Sequence, residues 1–182
     1  MSLSYFNENS PHFIHDVTRS DQYFLFFLTL CCLDCPSGWV RYGESCYFID
    51  DTPTQSWSDA RSTCQNMGGD LPIIGSAKEN KFILSLIQKQ DTYTALGAWI
   101  GFQRKADSKF YWVDGTSVEG QFTAWYRWEP DNFGGNENCG HMIGNEVAIS
   151  YAGMWNDLNC NATYGGVTYG ENNPVIVCQK PF

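Results

Sequence analysis

Eight cysteines, at positions 31, 32, 35, 46, 64, 139, 160 and 178, constrain this 182-residue chain more than any other feature. The first two close an apolar run, Tyr23–Leu33, with Arg19 just upstream. The run is too short to cross a bilayer as a helix, which takes about 20 residues. It fits the hydrophobic segment of a secretory signal, with cleavage between Cys32 and Asp34. Cleavage there removes Cys31 and Cys32 and leaves an even number, as a disulfide framework built in an oxidising compartment requires. The Cys32–Cys35 spacing could suit a redox or zinc motif, but it has no second such pair, no helix behind it and no nearby His. The chain is therefore expected to divide into residues 1–34, an N-terminal extension plus signal peptide, and residues 35–182, one secreted, extracellular domain.

Composition supports a packed domain. Hydrophobic residues make up 43%, aromatics 16% and charged residues 17%, which excludes a disordered chain. The net charge of −9 repels phosphate backbones, and no basic stripe interleaved with aromatics relieves it, so no nucleic-acid partner is expected. Nor is a membrane span expected. An acidic chain is a reasonable host for a divalent cation.

After Cys35 no repeat, low-complexity tract or linker interrupts the chain. Cys46–Ile49 reads as a strand. Ser56 is an N-cap for a helix over Trp57–Met67, in which Trp57, Ala60, Cys64 and Met67 share a face and Gly68-Gly69 ends the helix. Ser76 and Glu79 form a capping box for a second helix running to about Gln90, with Phe82, Ile83, Leu86 and Ile87 as its core stripe. Ala98–Phe102 and Lys109–Val113 read as short aromatic strands, and Asp114-Gly115 as a turn. From there to Cys178 the chain reads mostly as loop, rich in Gly, Asn, Asp and Trp. Long loops inside small domains are usually functional. The pattern is α+β: two helices, small antiparallel sheets and a long polar loop region.

The chemistry concentrates in Glu129–Cys139 and in Trp155-Asn156-Asp157. Glu129, Asp131, Glu137, Asn156 and Asp157 are hard oxygen donors with no thiolate or imidazole among them, which favours Ca²⁺ over zinc or copper. Calcium takes about 6–8 oxygens. Five side chains and one backbone carbonyl leave room for two more from a ligand. Cys139 follows Glu137 closely and Cys160 follows Asp157 closely, so a bridge between them would join the two halves of the cage. A cis Glu129–Pro130 bond would turn the flanking side chains toward one point. Composition alone is equally compatible with a polar, Gly-rich surface loop.

The order of motifs resembles the C-type lectin-like family. Cys35-Pro36-Ser37-Gly38-Trp39, Tyr42-Gly43 and Ser45-Cys46-Tyr47 resemble the opening hairpin of its long form. Trp99-Ile100-Gly101-Phe102 resembles its central strand motif, Trp-Ile-Gly-Leu, with Phe for Leu. Trp125, Gly134–Cys139, Trp155-Asn156-Asp157 and Cys178 follow in the family's order, so the resemblance covers residues 35–182. It implies the C-type lectin-like fold and the bridges Cys35–Cys46, Cys64–Cys178 and Cys139–Cys160. It also implies that Glu129, Asp131, Glu137, Asn156 and Asp157 ligate calcium in the family's principal site, Asp157 adding its main-chain carbonyl. Two neighbouring sugar hydroxyls would complete the coordination sphere and hydrogen-bond the same side chains.

Three departures from the family matter. Mannose-type members resemble Glu-Pro-Asn and galactose-type members Gln-Pro-Asp, whereas this chain has Glu129-Pro130-Asp131, half of each. One amide donor to the sugar is lost, Asn156 survives, and Phe133 stands where galactose-type members carry a stacking aromatic. The sugar type stays open, with Phe133 tipping it toward galactose. At the auxiliary calcium site Arg104 replaces an acidic residue, so that site is expected to be weak or empty even if Asp107, Asn132 and Asn138 contribute. Finally, residues 161–177 form an insertion carrying the glycosylation sequon Asn161-Ala162-Thr163. It forms either one wall of the site or a solvated hairpin.

The expected function is that of a secreted, calcium-dependent carbohydrate-binding lectin whose partners are glycans or glycoproteins. A single weak sugar site would gain from homo-oligomeric avidity. The alternative is a C-type lectin-like module that binds protein, lipid or ice, with calcium structural or absent. An enzyme is not expected: His141 is the domain's one histidine, and no nucleophile arrangement surrounds it. Glu129 and Glu137 would both be held ionised by calcium, which leaves no general acid for glycoside hydrolysis.

Overall fold

Two serines start the helices. The computed structural model describes residues 34–182, apart from 53, 55, 90–96, 145–150, 162, 165, 166 and 169–172. The apolar run Tyr23–Leu33, Cys31, Cys32 and Gln90 lie outside the described residues. Ser56 is extended, and its hydroxyl accepts from Asp59 N at the start of α1 (Trp57–Asn66). Such a cap satisfies one of the amides that a helix leaves unpaired. Ser76 does the same for α2 (Ala77–Ile87), accepting from Glu79 N. The expected capping box is only half formed. The Glu79 carboxylate accepts from Gly75 N at 2.9 Å and from the Tyr47 hydroxyl, so it is drawn toward the strand beside it rather than to the cap residue's own amide. The helix ends at Ile87, short of the expected Gln90.

Chain ends meet in one sheet. β1 (Val40–Tyr42) and β2 (Ser45–Asp50) form the opening hairpin, and β2 pairs antiparallel with β9 (Ile176–Pro181). A second antiparallel sheet has the order β4-β3-β5-β6, with β3 Gly97–Arg104, β4 Phe110–Trp112, β5 Glu137–Ile143 and β6 Trp155–Asn159. The region after Asp114 is therefore less loop-like than its sequence reads. β5 is buried at nearly every position, so the alternation that marks a half-exposed strand is missing. Gly140 in its middle also looks like a strand breaker. It is needed because a Cβ there would stand 2.7 Å from the Phe102 ring.

The Phe102 ring is the hub of the core beneath the site. Phe110, Trp112, Trp125 and Trp155 surround it at centroid distances of 5.1–5.6 Å, in the edge-on and tilted arrangements that aromatic rings favour. Three bridges hold this frame: Cys35–Cys46, Cys64–Cys178 and Cys139–Cys160. Cys64–Cys178 spans 114 positions and joins α1 to β9. By loop entropy a closure of that size is worth about 4–5 kcal/mol. Cys139–Cys160 ties the start of β5 to the end of β6. The insertion begins beyond Cys160, and its backbone forms a two-stranded hairpin, β7 (Thr163–Tyr164) with β8 (Val167–Thr168).

Candidate metal centre

Four carboxylates converge where the loop after β4 returns to the second sheet. Oxygens of Glu129, Asp131 and Asp157 lie within 4.8 Å of one another. Phe133 N stands 2.9 Å from both Asp131 Oδ1 and Glu137 Oε2, which puts Glu137 beside Asp131 and extends the cluster to four. The Glu129–Pro130 peptide is cis. Asp157 and Glu137 stand on the neighbouring strands β6 and β5 and are both buried. The loop supplies Glu129 and Asp131. Asn156 precedes Asp157 on β6 and is half-buried, opposite His141 of β5.

Main-chain amides fold the loop around these groups. Asp131 N donates to Asp157 Oδ1 and Asn132 N to Asp157 Oδ2, both at 3.1 Å. Phe133 N donates to Asp131 Oδ1 and to Glu137 Oε2, each at 2.9 Å. Glu137 N in turn donates to Asn132 Oδ1 at 3.0 Å. Asn132 adopts the left-handed conformation, φ 51°, which Asn tolerates better than most residues. It leads into a short 3-10 turn, Phe133–Gly135, that leaves the Phe133 side chain half exposed.

The same crowding perturbs two of the acids. Glu129 is pushed up to about 7, first by burial and then by its contact with Asp157 and the charge of Asp131. Glu137 is also pushed up to about 7 by burial and by the charges of Asp157 and Asp131, against the lowering effect of the Phe133 amide. Like charges so close resist joint ionisation. A divalent cation would remove that resistance, and an all-oxygen donor set of this kind fits calcium.

Several side chains that hold the centre were not read from the sequence as doing so. Arg104, noted there for the acidic residue it replaces, donates from Nη2 to Asp157 Oδ2 at 2.5 Å and from Nε to the Glu137 carbonyl at 3.3 Å. Its guanidinium lies 4.2 Å from the Phe110 ring centroid. Asp107 is exposed and turns to Tyr111 OH and Lys109 N, while the Asn132 side chain serves the loop itself. Asn80 of α2 is buried, accepts from Trp155 Nε1 at 2.7 Å and donates to the Gly153 carbonyl at 2.7 Å. The signal for Asn80 was its place in an apolar stripe, one turn before Ile83. Asn161 is exposed, and its N–H donates to Asn159 Oδ1.

Known proteins resemble this chain in sequence and in fold. The family model described as the Lectin C-type domain matches residues 53–167. The chain belongs to the C-type lectin family. It is 34% identical over 135 residues to a perlucin-like protein of Mytilus galloprovincialis, covering 74% of this chain and 81% of that protein. It is also 34% identical over 146 residues to an alpha-N-acetylgalactosamine-specific lectin of Patiria pectinifera, covering 75% and 83%. Other curated relatives are longer, and the chain spans 29% to 46% of them. Among solved structures, the C-type carbohydrate-recognition domain of cow CD23, in the presence of a GlcNAc2Man3 oligosaccharide, superposes with a TM-score of 0.64. It is 26% identical, with 83% of this chain and 98% of that chain covered.

Proposed function

We propose that this C-type lectin is a secreted, extracellular, calcium-dependent sugar-binding protein whose one calcium site is the sugar site. The observation that carries the reading is the convergence of Glu129, Asp131, Glu137 and Asp157. Glu129, Asp131, Glu137, Asn156 and Asp157 would hold the ion, with Asp157 adding its carbonyl oxygen. Bound calcium supplies coordination positions that two neighbouring sugar hydroxyls fill. Around those hydroxyls the carboxylates accept hydrogen bonds and the Asn156 amide donates one, and charged partners make such bonds strong. Phe133 is half exposed two residues beyond Asp131, where its ring can cover the apolar face of a galactose. The N-acetylgalactosamine-specific relative supports a galactose-type ligand.

Three disulfides support secretion, since such bridges persist in oxidising compartments. Among the described residues no helix is long and apolar enough to cross a membrane. The Asn161 sequon, exposed at Asn161, is the proposed glycan attachment site. A weak single site acting on glycoproteins would gain from a homo-oligomer.

A glycan array probed with calcium and again with chelator tests the reading. Binding to terminal galactosides that chelator abolishes is expected. Calcium binding measured by calorimetry without retention of any glycan would make the cage structural and favour a protein, lipid or ice ligand. Absence of calcium binding would remove the proposed ligand set altogether.

A further inference from the structure

Five large apolar side chains stand exposed among the described residues: Val40, Trp128, Phe133, Met154 and Phe182. Three of them lie on the segments that build the acidic centre. Trp128 is bonded directly to Glu129, Phe133 follows Asp131 by two residues, and Met154 precedes Trp155-Asn156-Asp157. Trp128 is the extreme case, with 80% of its surface in water. An indole so placed adds little to the core, although Trp is among the side chains that gain most from being covered.

Its backbone is held in a turn. Glu129 N donates to the Tyr126 carbonyl at 2.8 Å, closing a four-residue turn with Arg127 and Trp128 at the tip. The base of this turn is tied to the strand that carries Asn156 and Asp157, for Tyr126 N donates to the Trp155 carbonyl at 2.8 Å. The Tyr126 ring also packs on Tyr151 at 4.6 Å. The turn that carries the exposed indole thus leads directly into Glu129 and is braced against β6.

We propose that Trp128 forms a second sugar subsite, stacking on the ring that is glycosidically linked to the sugar held at the acidic centre. The inference rests on the function proposed above and extends it from a monosaccharide to an oligosaccharide chain. A pyranose offers a face of C–H groups to the flat apolar surface, and the indole N–H is free in chemistry to donate to a hydroxyl at its rim. The occupant is a sugar ring rather than a protein because the tip is small and flanked by the charged Arg127 and Glu129. A stable protein interface needs about 800 Å² on each partner. One peptide unit separates Trp128 from Glu129, so a subsite at the indole would lie within reach of the ring next to the one held at the acidic centre.

The test compares sugars of two lengths at saturating calcium: methyl β-galactoside with lactose, and methyl α-mannoside with mannotriose. Wild type, Trp128→Ala and Trp128→Phe are titrated by calorimetry. In whichever series binds, Trp128→Ala is expected to weaken the longer sugar roughly two- to tenfold, the size of one aromatic contact. The monosaccharide should change by less than about twofold, as for an ordinary surface substitution. Trp128→Phe should keep most of the affinity for the longer sugar. Equal losses on both lengths, or no loss on either, would overturn the subsite while leaving the calcium-dependent reading intact. If wild type bound neither length in either series, that reading would fall and the subsite with it.

Discussion

Arg104 donates to Asp157 at 2.5 Å, and the carboxylate it meets is wholly buried at the centre of the acidic cluster. The Arg104 side chain is itself only 15% exposed and also bonds the Glu137 carbonyl, so one side chain braces two proposed ligands. It sets a positive charge against that carboxylate. In Arg104→Met, Asp157 would keep the main-chain amides of Asp131 and Asn132 but lose its countercharge. Breaking such a pair on one side costs about 3 kcal/mol. The loss should be full in calcium-free buffer and smaller in millimolar calcium, where the ion compensates the same carboxylate. Urea denaturation of both proteins in both buffers measures this. An equal loss in the two buffers would mean that Arg104 serves the fold and not the centre.

Calcium dependence should vary with pH in a defined direction. Glu129 and Glu137 are raised from about 4.5 to about 7 in the calcium-free protein, chiefly by burial. Between those values the folded chain binds more protons than the unfolded one. Their contribution to stability is therefore present at pH 4.5 and is lost as pH rises through 7. Calcium needs both groups ionised, so its affinity should fall as pH drops through the same window. Binding stabilises by mass action. The rise in Tm on adding millimolar calcium should thus be small at pH 5 and large at pH 8, with the steepest change near 7. Melts in calcium-depleted and calcium-containing buffer across that range are the check. A calcium shift that is flat with pH would argue that these two acids do not hold the ion.

What could be read from the sequence follows from how local the governing interactions are. Ser56 and Ser76 announce their helices because a cap acts within three residues. β5 and β6 stayed hidden, since a strand enclosed on both faces shows no alternation and Gly140 is explained by a ring contributed from β3. Glu129, Asp131, Glu137, Asn156 and Asp157 were visible as residue types in motif order. Their supports were not: Arg104 and Asp157 are 53 positions apart, and Asn80 meets Trp155 across 75. No periodicity encodes such pairs.

Asn80 makes that hidden support testable. Replacing it with Leu keeps most of its volume but leaves Trp155 Nε1 and the Gly153 carbonyl without their partner. Each buried group left unpaired costs about 1–3 kcal/mol, so a total loss of roughly 2–6 kcal/mol is expected. Because Trp155 directly precedes Asn156 and Asp157, calcium affinity should fall as well. Denaturation and calcium titration of Asn80→Leu report the two effects separately. Unchanged calcium affinity in a destabilised variant would confine Asn80 to the core.

Sugar choice should turn on position 131. Asp131 Oδ1 accepts from Phe133 N at 2.9 Å, and an Asn there retains an oxygen for that amide and for calcium. Asp131→Asn also adds an amide donor facing the coordinated hydroxyls beside Glu129, restoring the Glu-Pro-Asn pattern of mannose-type members. The variant should gain mannose relative to galactose. Its calcium affinity should fall, because one of four negative charges has gone. Phe133→Ala removes the half-exposed ring and keeps every proposed ligand, so it should weaken galactose more than mannose. The loss of one aromatic contact corresponds to roughly two- to tenfold in affinity. Titrations of wild type and both variants with methyl β-galactoside and methyl α-mannoside, at saturating calcium, give the ratio directly. If neither substitution moved it, hydroxyl recognition would not depend on the Glu129-Pro130-Asp131 segment, and the assignment of that segment to the sugar site would have to be abandoned.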